Sequence, residues 1–250
     1  MLLKTDAVVL KQNKFGEADT IITLFSKKLG KIQAVAKGAR RPRGKYSIGT
    51  QPFSYGEFVL FKGRDLYQIS QVDIKHSFYK LREDVMKLTF ASYILELTES
   101  IITEGQTNNR LFDMLLKCLY ILSAMDKNYE TLTKAYEIKL LMYGGYKPEM
   151  DNCVCCGAAD SSRIKFSSRE GGILCERCFP QDSYAMKISS STINVIRYLM
   201  KMDLIQISRL KIKSDVLKEL NKITKHYIST HIDKTKFNSL QFLEAIQESK

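Results

Sequence analysis

Four of the six cysteines stand in two pairs, Cys153/Cys156 and Cys175/Cys178, each a C-x2-C, with 18 residues (157–174) between them. Two thiolates three residues apart can turn over a tight knuckle onto one metal ion, and two such knuckles complete a tetrahedral four-sulfur shell. Gly157 follows the first knuckle, where a positive φ is cheap. Four thiolates leave no open position for water or substrate, so the spacing predicts one structural zinc ion per chain rather than a catalytic one. Cys155, inside the first knuckle, reads as a free thiol. Cys118 lies on the apolar stripe of a helical pattern and reads as a packed core thiol.

The remaining reactive side chains do not assemble into an active site. His76, His226 and His231 are scattered, and the last two, five residues apart, fall on different faces of a helix, so all three read as surface or capping residues. Glu17 and Asp19 could pair, but a nuclease metal site needs more acidic ligands than this basic region offers. No Ser-His-Asp set, phosphate-binding P-loop or H-x-E deaminase motif is present. The chain is therefore expected not to be an enzyme.

Its charge points to a polyanion. The formal net charge is +12. Residues 1–80 contribute +9 of it and residues 187–250 contribute +6, while the stretch between is slightly acidic. A basic region localised in this way is the electrostatic footprint of nucleic acid. No apolar run reaches the length of a membrane span. Lys4 and Asp6 break any secretory core at the start, so a cytoplasmic, nucleoid-associated protein with reduced cysteines is expected.

The elements that must present these residues change type near residue 78. Residues 1–76 read as five strands. Thr20 to Ser26 is apolar on both faces. Ile32, Ala34 and Ala36 alternate with Lys31, Gln33, Val35 and Lys37, which places Lys31 and Lys37 outward. Residues 53–62 and 65–75 form a hairpin about Lys62-Gly63-Arg64-Asp65, and the apolar face shifts parity between Ile69 and Val72, as a bulge near Ser70 or Gln71 would produce. Five short strands predict an α+β chain: an OB-like barrel over 1–78, then a helical domain over 79–250 that carries the cysteine segment 150–182. Between the third and fourth strands, Gly38-Ala39-Arg40-Arg41-Pro42-Arg43-Gly44-Lys45-Tyr46 must be an exposed loop. The candidate nucleic-acid residues are Lys31, Lys37, Arg40, Arg41, Arg43, Lys45, Lys62 and Arg64 for phosphates, with Tyr46 for base stacking. Phe15, Phe53 and Tyr55 are weaker stacking candidates, because strand aromatics usually enter the core.

These features together resemble the bacterial RecO family of DNA recombination mediators. The resemblance runs through Ala7-Val8-Val9-Leu10, Gly16-Glu17-Ala18-Asp19, Ile21-Ile22-Thr23-Leu24-Phe25, Ala36-Lys37-Gly38-Ala39-Arg40-Arg41-Pro42, Gln51-Pro52-Phe53 and Tyr143-Gly144-Gly145-Tyr146-Lys147-Pro148. Two points stand apart from the family's pattern. Arg43-Gly44-Lys45 replaces the Ser that many relatives carry after the Arg-Arg-Pro element, and some relatives lack the cysteines, so the metal is not essential to the family's activity. The resemblance implies a protein that binds single- and double-stranded DNA and anneals complementary strands. It implies RecR and single-stranded DNA-binding protein as partners, and help in loading the RecA recombinase. As a second reading, a basic OB-like barrel with a zinc knuckle would also suit an RNA-binding or ribosome-associated protein.

Overall fold

The first strand makes the barrel possible. In the computed structural model, which describes residues 2–41, 44, 46–159, 163–232 and 236–248, β1 (Leu2–Phe15) is long enough to pair on both sides. Its first half pairs antiparallel with β4 (Tyr55–Lys62), and its second half with β2 (Asp19–Ser26), with a register shift between Val9 and Lys11. β2 continues into β3 (Gly30–Ala36), and β3 meets β5 (Tyr67–His76) in parallel. The closed order β1-β2-β3-β5-β4 is the five-stranded Greek-key barrel that the alternation predicted. The parity change in β5 has the expected cause. Val59 faces Gln71 and Leu60 faces Ile69, so Ser70 is the extra residue of a bulge.

The barrel interior is filled by alternate residues: Ala7 and Val9, Ile22 and Leu24, Ile32, Ala34 and Ala36, Phe58 and Leu60, and Ile69. Small residues on β3 leave room for the phenyl ring and leucines opposite. Val8, Leu10 and Phe25 are buried on the outer side, where Phe25 meets Phe112 edge to face at 5.4 Å.

The helices begin where capping and periodicity place them. Asp84 caps α1 (Val85–Ile101) by accepting from the Lys87 amide, and Asn108 accepts from the Leu111 amide at the start of α2 (Asn109–Ala124). α3 (Tyr129–Tyr143) stops at Gly144. Beyond the cysteine segment, α4 (Ser190–Lys201), α5 (Leu204–Ser208), α6 (Ser214–His231) and α7 (Asn238–Glu248) follow. The sequence pattern anticipates all of these except the single turn and a half of α5, which is too short to show a period. No helix among the described residues is long and apolar enough to cross a membrane.

The chain forms two compact units, Met1–Ala124 with Phe237–Lys250, and Met125–Lys236. The change from strand to helix near residue 78 is thus not where the units divide. α1 and α2 belong with the barrel, and α7 returns to pack on α1, with Tyr93 and Phe237 perpendicular at 5.5 Å.

The β2–β3 turn is the tightest approach within the first unit. Gly30 has φ +67, and a Cβ there would lie 2.1 Å from the Gln106 carbonyl oxygen. Gly105 has φ +72 but open space around it. Gly30→Ala should therefore lose about 2–5 kcal/mol, from backbone strain plus displacement of the 106 backbone. Gly105→Ala should lose only the strain, about 1–2 kcal/mol. Chemical denaturation of both variants checks the order, and equal losses would contradict it.

Candidate metal centre and nucleic-acid face

In the second unit, the cysteine segment is more than a loop. β6 (Ile164–Ser167) and β7 (Gly172–Cys175) form a hairpin, and the two-residue strand β8 (Met186–Lys187) adds to its edge. Four-residue strands give too short an alternation to be read from the sequence. Glu149 turns the chain into the first knuckle by accepting from the Asp151 and Asn152 amides at 2.7 and 3.1 Å, bonds that hold its carboxyl below the usual range. The knuckle closes through Cys153 N–H to Ala158 O and Gly157 N–H to Cys153 O, both 2.8 Å, with Gly157 at φ +74. Cys175 ends β7, and Cys178 lies in the following 3-10 turn (Glu176–Gln181).

The four sulfurs of Cys153, Cys156, Cys175 and Cys178 lie within 4.8 Å of one another, and Cys156 and Cys175 are 3.5 Å apart. A tetrahedron with metal–sulfur bonds of about 2.3 Å has edges of about 3.8 Å, so the cluster can hold one metal ion. Electrostatics agree with that fit. Burial opposes ionisation of Cys153, yet amide donation from Cys175, Cys156 and Cys155 brings its thiol down to about 6. Cys175 is also lowered, since sulfur–hydrogen bonds with Cys156 and Cys178 outweigh burial. Cys178 is pushed up, by burial and by its place among the other sulfurs. A divalent ion would favour the thiolate form of all four. Cys155 is exposed and is not among the four. Cys118 is buried, with its thiol pushed up by burial alone.

Two histidines do what the sequence does not show. His226 Nδ1 is 2.7 Å from Ser168 Oγ, and His231 Nε2 is 2.7 Å from the Ser168 carbonyl. Their five-residue spacing puts them on different faces of α6, but the β6–β7 turn sits across both. Tyr227 stacks between, 4.4 Å from His231 and 5.4 Å from Phe166. Asp182 is buried beside this turn and accepts from Ser167 Oγ at 2.6 Å and from the Tyr184 amide at 2.9 Å.

In the first unit, the candidate basic residues stand at two places on the barrel. Thr20 pairs with Ala36, so the β1–β2 turn and the start of the long loop after β3 share one rim, whereas Ala34 pairs in parallel with Tyr67, so the β4–β5 turn lies toward the other end, beside β3. Lys37, Arg40 and Arg41 are exposed on the first rim, and Lys62 and Arg64 are exposed on the β4–β5 turn. None of them forms an ion pair among the described residues, whereas Lys4, Lys27 and Lys75, elsewhere on the barrel, are paired with Glu57, Asp113 and Asp6. Cations without acidic partners can neutralise phosphates and release the counterions condensed on a nucleic-acid backbone.

The loop after β3 is anchored along its length. Asp19 Oδ1 accepts from the Gly38 amide at 2.7 Å, and Ala18 O accepts from the Arg40 amide at 2.9 Å. At the far end, Arg82 donates to the Pro52 carbonyl at 2.6 Å and lies over the Phe53 ring. Asp19 is therefore a loop anchor and not half of a carboxylate pair.

Two of the candidate residues also have partners within the unit. Lys31 faces outward, and its ammonium donates to the Glu99 carbonyl at 3.0 Å while its backbone bridges to Glu104. Tyr46 is partly buried against the barrel core and donates its hydroxyl to the Ser70 carbonyl at 2.7 Å, which helps hold the loop. Arg43 and Lys45 lie outside the described residues. Of the weaker stacking candidates, Phe53 is buried and Tyr55 packs edge-on against Phe112, while Phe15 is exposed.

Comparison with known proteins decides the lineage. Residues 1–78 match the family model "Recombination protein O N terminal", and residues 82–241 match "Recombination protein O C terminal". The chain belongs to the RecO family. Among curated RecO relatives, the DNA repair protein RecO of Alkaliphilus metalliredigens is 46% identical over 98% of this chain and 100% of its own length. Those of Acetivibrio thermocellus and Clostridium perfringens strain 13 are 37% and 36% identical, each over 99% of this chain and at least 98% of their own. The resemblance read from the Ala36–Pro42 element is thereby shown, and it extends through both compact units.

Cys175→Ser should abolish metal binding and loosen residues 150–180, seen as loss of metal by elemental analysis and faster hydrogen exchange there. Cys155→Ser should keep the full metal content, and loss of metal in that variant would reject the four-sulfur assignment. Asp182 supplies a pH test. The Ser167 hydroxyl holds its carboxyl below the ordinary value against the effect of burial. A folded value below the unfolded one means stabilisation that is complete above about pH 4 and is lost as pH falls through the lowered folded value. Asp182→Asn should therefore show a shallower loss of stability than wild type between about pH 5 and pH 2, measured by urea denaturation.

Proposed function

We propose that this protein is a non-catalytic recombination mediator of DNA repair, acting in the cytoplasm at the nucleoid. It binds single- and double-stranded DNA through the barrel rim and anneals complementary strands. With RecR it helps load RecA onto DNA coated by single-stranded DNA-binding protein. The observation that carries this reading is the set of exposed cations without an acidic partner among the described residues, Lys37, Arg40 and Arg41 on the rim after β3 and Lys62 and Arg64 on the β4–β5 turn, on a barrel that matches the RecO family. Annealing needs a surface that neutralises two phosphate backbones and leaves base edges free to pair. Lysine and arginine side chains on a rim meet both needs, because phosphate contacts position a strand without reading it.

The metal in this reading is zinc. An all-thiolate tetrahedral set selects a soft, borderline ion, and zinc brings no redox chemistry to a site whose task is to hold a fold together. No residue of the cluster is free to activate water, in keeping with a structural role.

Arg40→Ala with Arg41→Ala tests the rim. Each single-strand phosphate contact releases roughly 0.7 of a counterion, so the double variant should flatten the log-log salt dependence of binding by about 1 to 1.5. The loss should be the same for every DNA sequence, and annealing on protein-coated single strands should fall with it. Thermal stability and metal content should stay at wild-type values, since both side chains are exposed. Unchanged affinity with unchanged salt dependence would remove the rim as the nucleic-acid site. Stronger binding to structured RNA than to single-stranded DNA in direct competition would replace the DNA reading.

A further inference from the structure

We propose that Phe15 is a base-stacking position on the barrel rim, where the chain holds a nucleobase of a single strand in addition to its phosphates; the inference rests on the DNA reading above. Phe15 is the last residue of β1 and pairs with Asp19 across the three-residue turn Gly16-Glu17-Ala18. Its side chain is 47% exposed and has no ring or cation partner among the described residues. Of the other aromatic rings of residues 1–61, Phe61 is also exposed, on β4 toward the other end of the barrel, and the rest are engaged. Phe25 and Tyr55 meet Phe112, Phe58 fills the barrel, Phe53 lies under Arg82, and Tyr46 packs on the core.

A single exposed apolar ring is ordinary on a protein surface, so exposure alone decides nothing. Position does. The Arg40 guanidinium donates to the Gly16 carbonyl at 3.3 Å, one residue from Phe15. Lys14 precedes Phe15 and is exposed and unpaired among the described residues. Asp19, opposite Phe15, fixes the Gly38 amide and with it the start of the cationic loop. The ring is thus fastened to the same turn that orients the phosphate-facing cations. A nucleotide carries its base one sugar away from its phosphate, and a ring beside rather than within a cluster of cations suits that separation.

Stacking and phosphate binding leave different signatures. A ring face accepts any unstacked base, carries no charge and releases no counterion. A duplex keeps its bases stacked on each other and offers none to the ring. Phe15 would therefore bias the rim toward single strands, which the cations alone cannot do.

The chain has no tryptophan, so Phe15→Trp installs a single fluorescent reporter. The probes are a 16-nucleotide thymidine strand, an abasic strand of the same length and charge, and a duplex. Phe15→Ala should weaken thymidine-strand binding roughly 5- to 150-fold while leaving the salt slope, abasic-strand binding and duplex binding unchanged. Phe15→Tyr should restore most of the loss. Phe15→Trp should be quenched by the thymidine strand and not by the abasic one. Tyr184→Trp, at a position 85% exposed in the other compact unit, should be quenched by neither. If wild type binds the thymidine strand but Phe15→Ala binds it equally well and Phe15→Trp is not quenched, stacking at Phe15 is overturned and the cationic rim stands. If wild type binds no DNA probe at all, the DNA reading falls and this inference with it.

Discussion

Closure of the barrel through β1 is the constraint on which the first unit depends. A strand that pairs on both sides leaves no edge, so every other strand's position follows from backbone hydrogen bonding. Closure also fixes which loops meet. Because β3 runs antiparallel to β2 and parallel to β5, the cations after β3 share a rim with the β1–β2 turn, while the β4–β5 turn lies toward the other end of the barrel, with the β2–β3 turn. The placement of the candidate nucleic-acid face is a consequence of strand order as much as of composition.

That face differs from a merely basic surface in how its charges are neutralised. Elsewhere on the barrel each lysine named above has an acidic neighbour, and exposed pairs of that kind contribute little to stability. Beside Lys37, Arg40 and Arg41, the acid that contacts the loop, Asp19, is turned to the backbone. The loop reaches the solvent already tethered at both ends and by Tyr46. Its arginines therefore start from a restricted ensemble, and binding loses less conformational entropy than it would from a free loop.

Much of this was legible in the residues. Alternation in β3 and the parity slip in β5 gave the strands, the bulge and the exposed loop, and cysteine spacing gave the metal cluster. What was hidden depends on contacts between distant segments. Nothing local to Lys31 or Tyr46 says that a helix end or a bulged carbonyl awaits them. Nothing local to Phe15 says that Phe25, Phe53 and Phe58 are buried while it is not. His226 and His231 fail a same-face test because their common partner, Ser168, is a turn broad enough to meet two faces of α6. The strands of the cysteine segment escaped because four residues are too few to display a period.

The two-histidine grip on that turn bears on ancestry. The sheet β6-β7-β8 is fastened to α6 by His226, His231 and Tyr227, at the end of the hairpin opposite the sulfurs. An ion held by the four sulfurs would therefore clasp one tip of a substructure that has a second, metal-independent attachment. A descendant that lost a cysteine would inherit a frayed knuckle but still a docked hairpin, and apolar substitutions could then mend the tip one at a time. A lineage can pass through such intermediates without ever losing the fold, which gives a physical route to relatives that carry no cysteines at these positions.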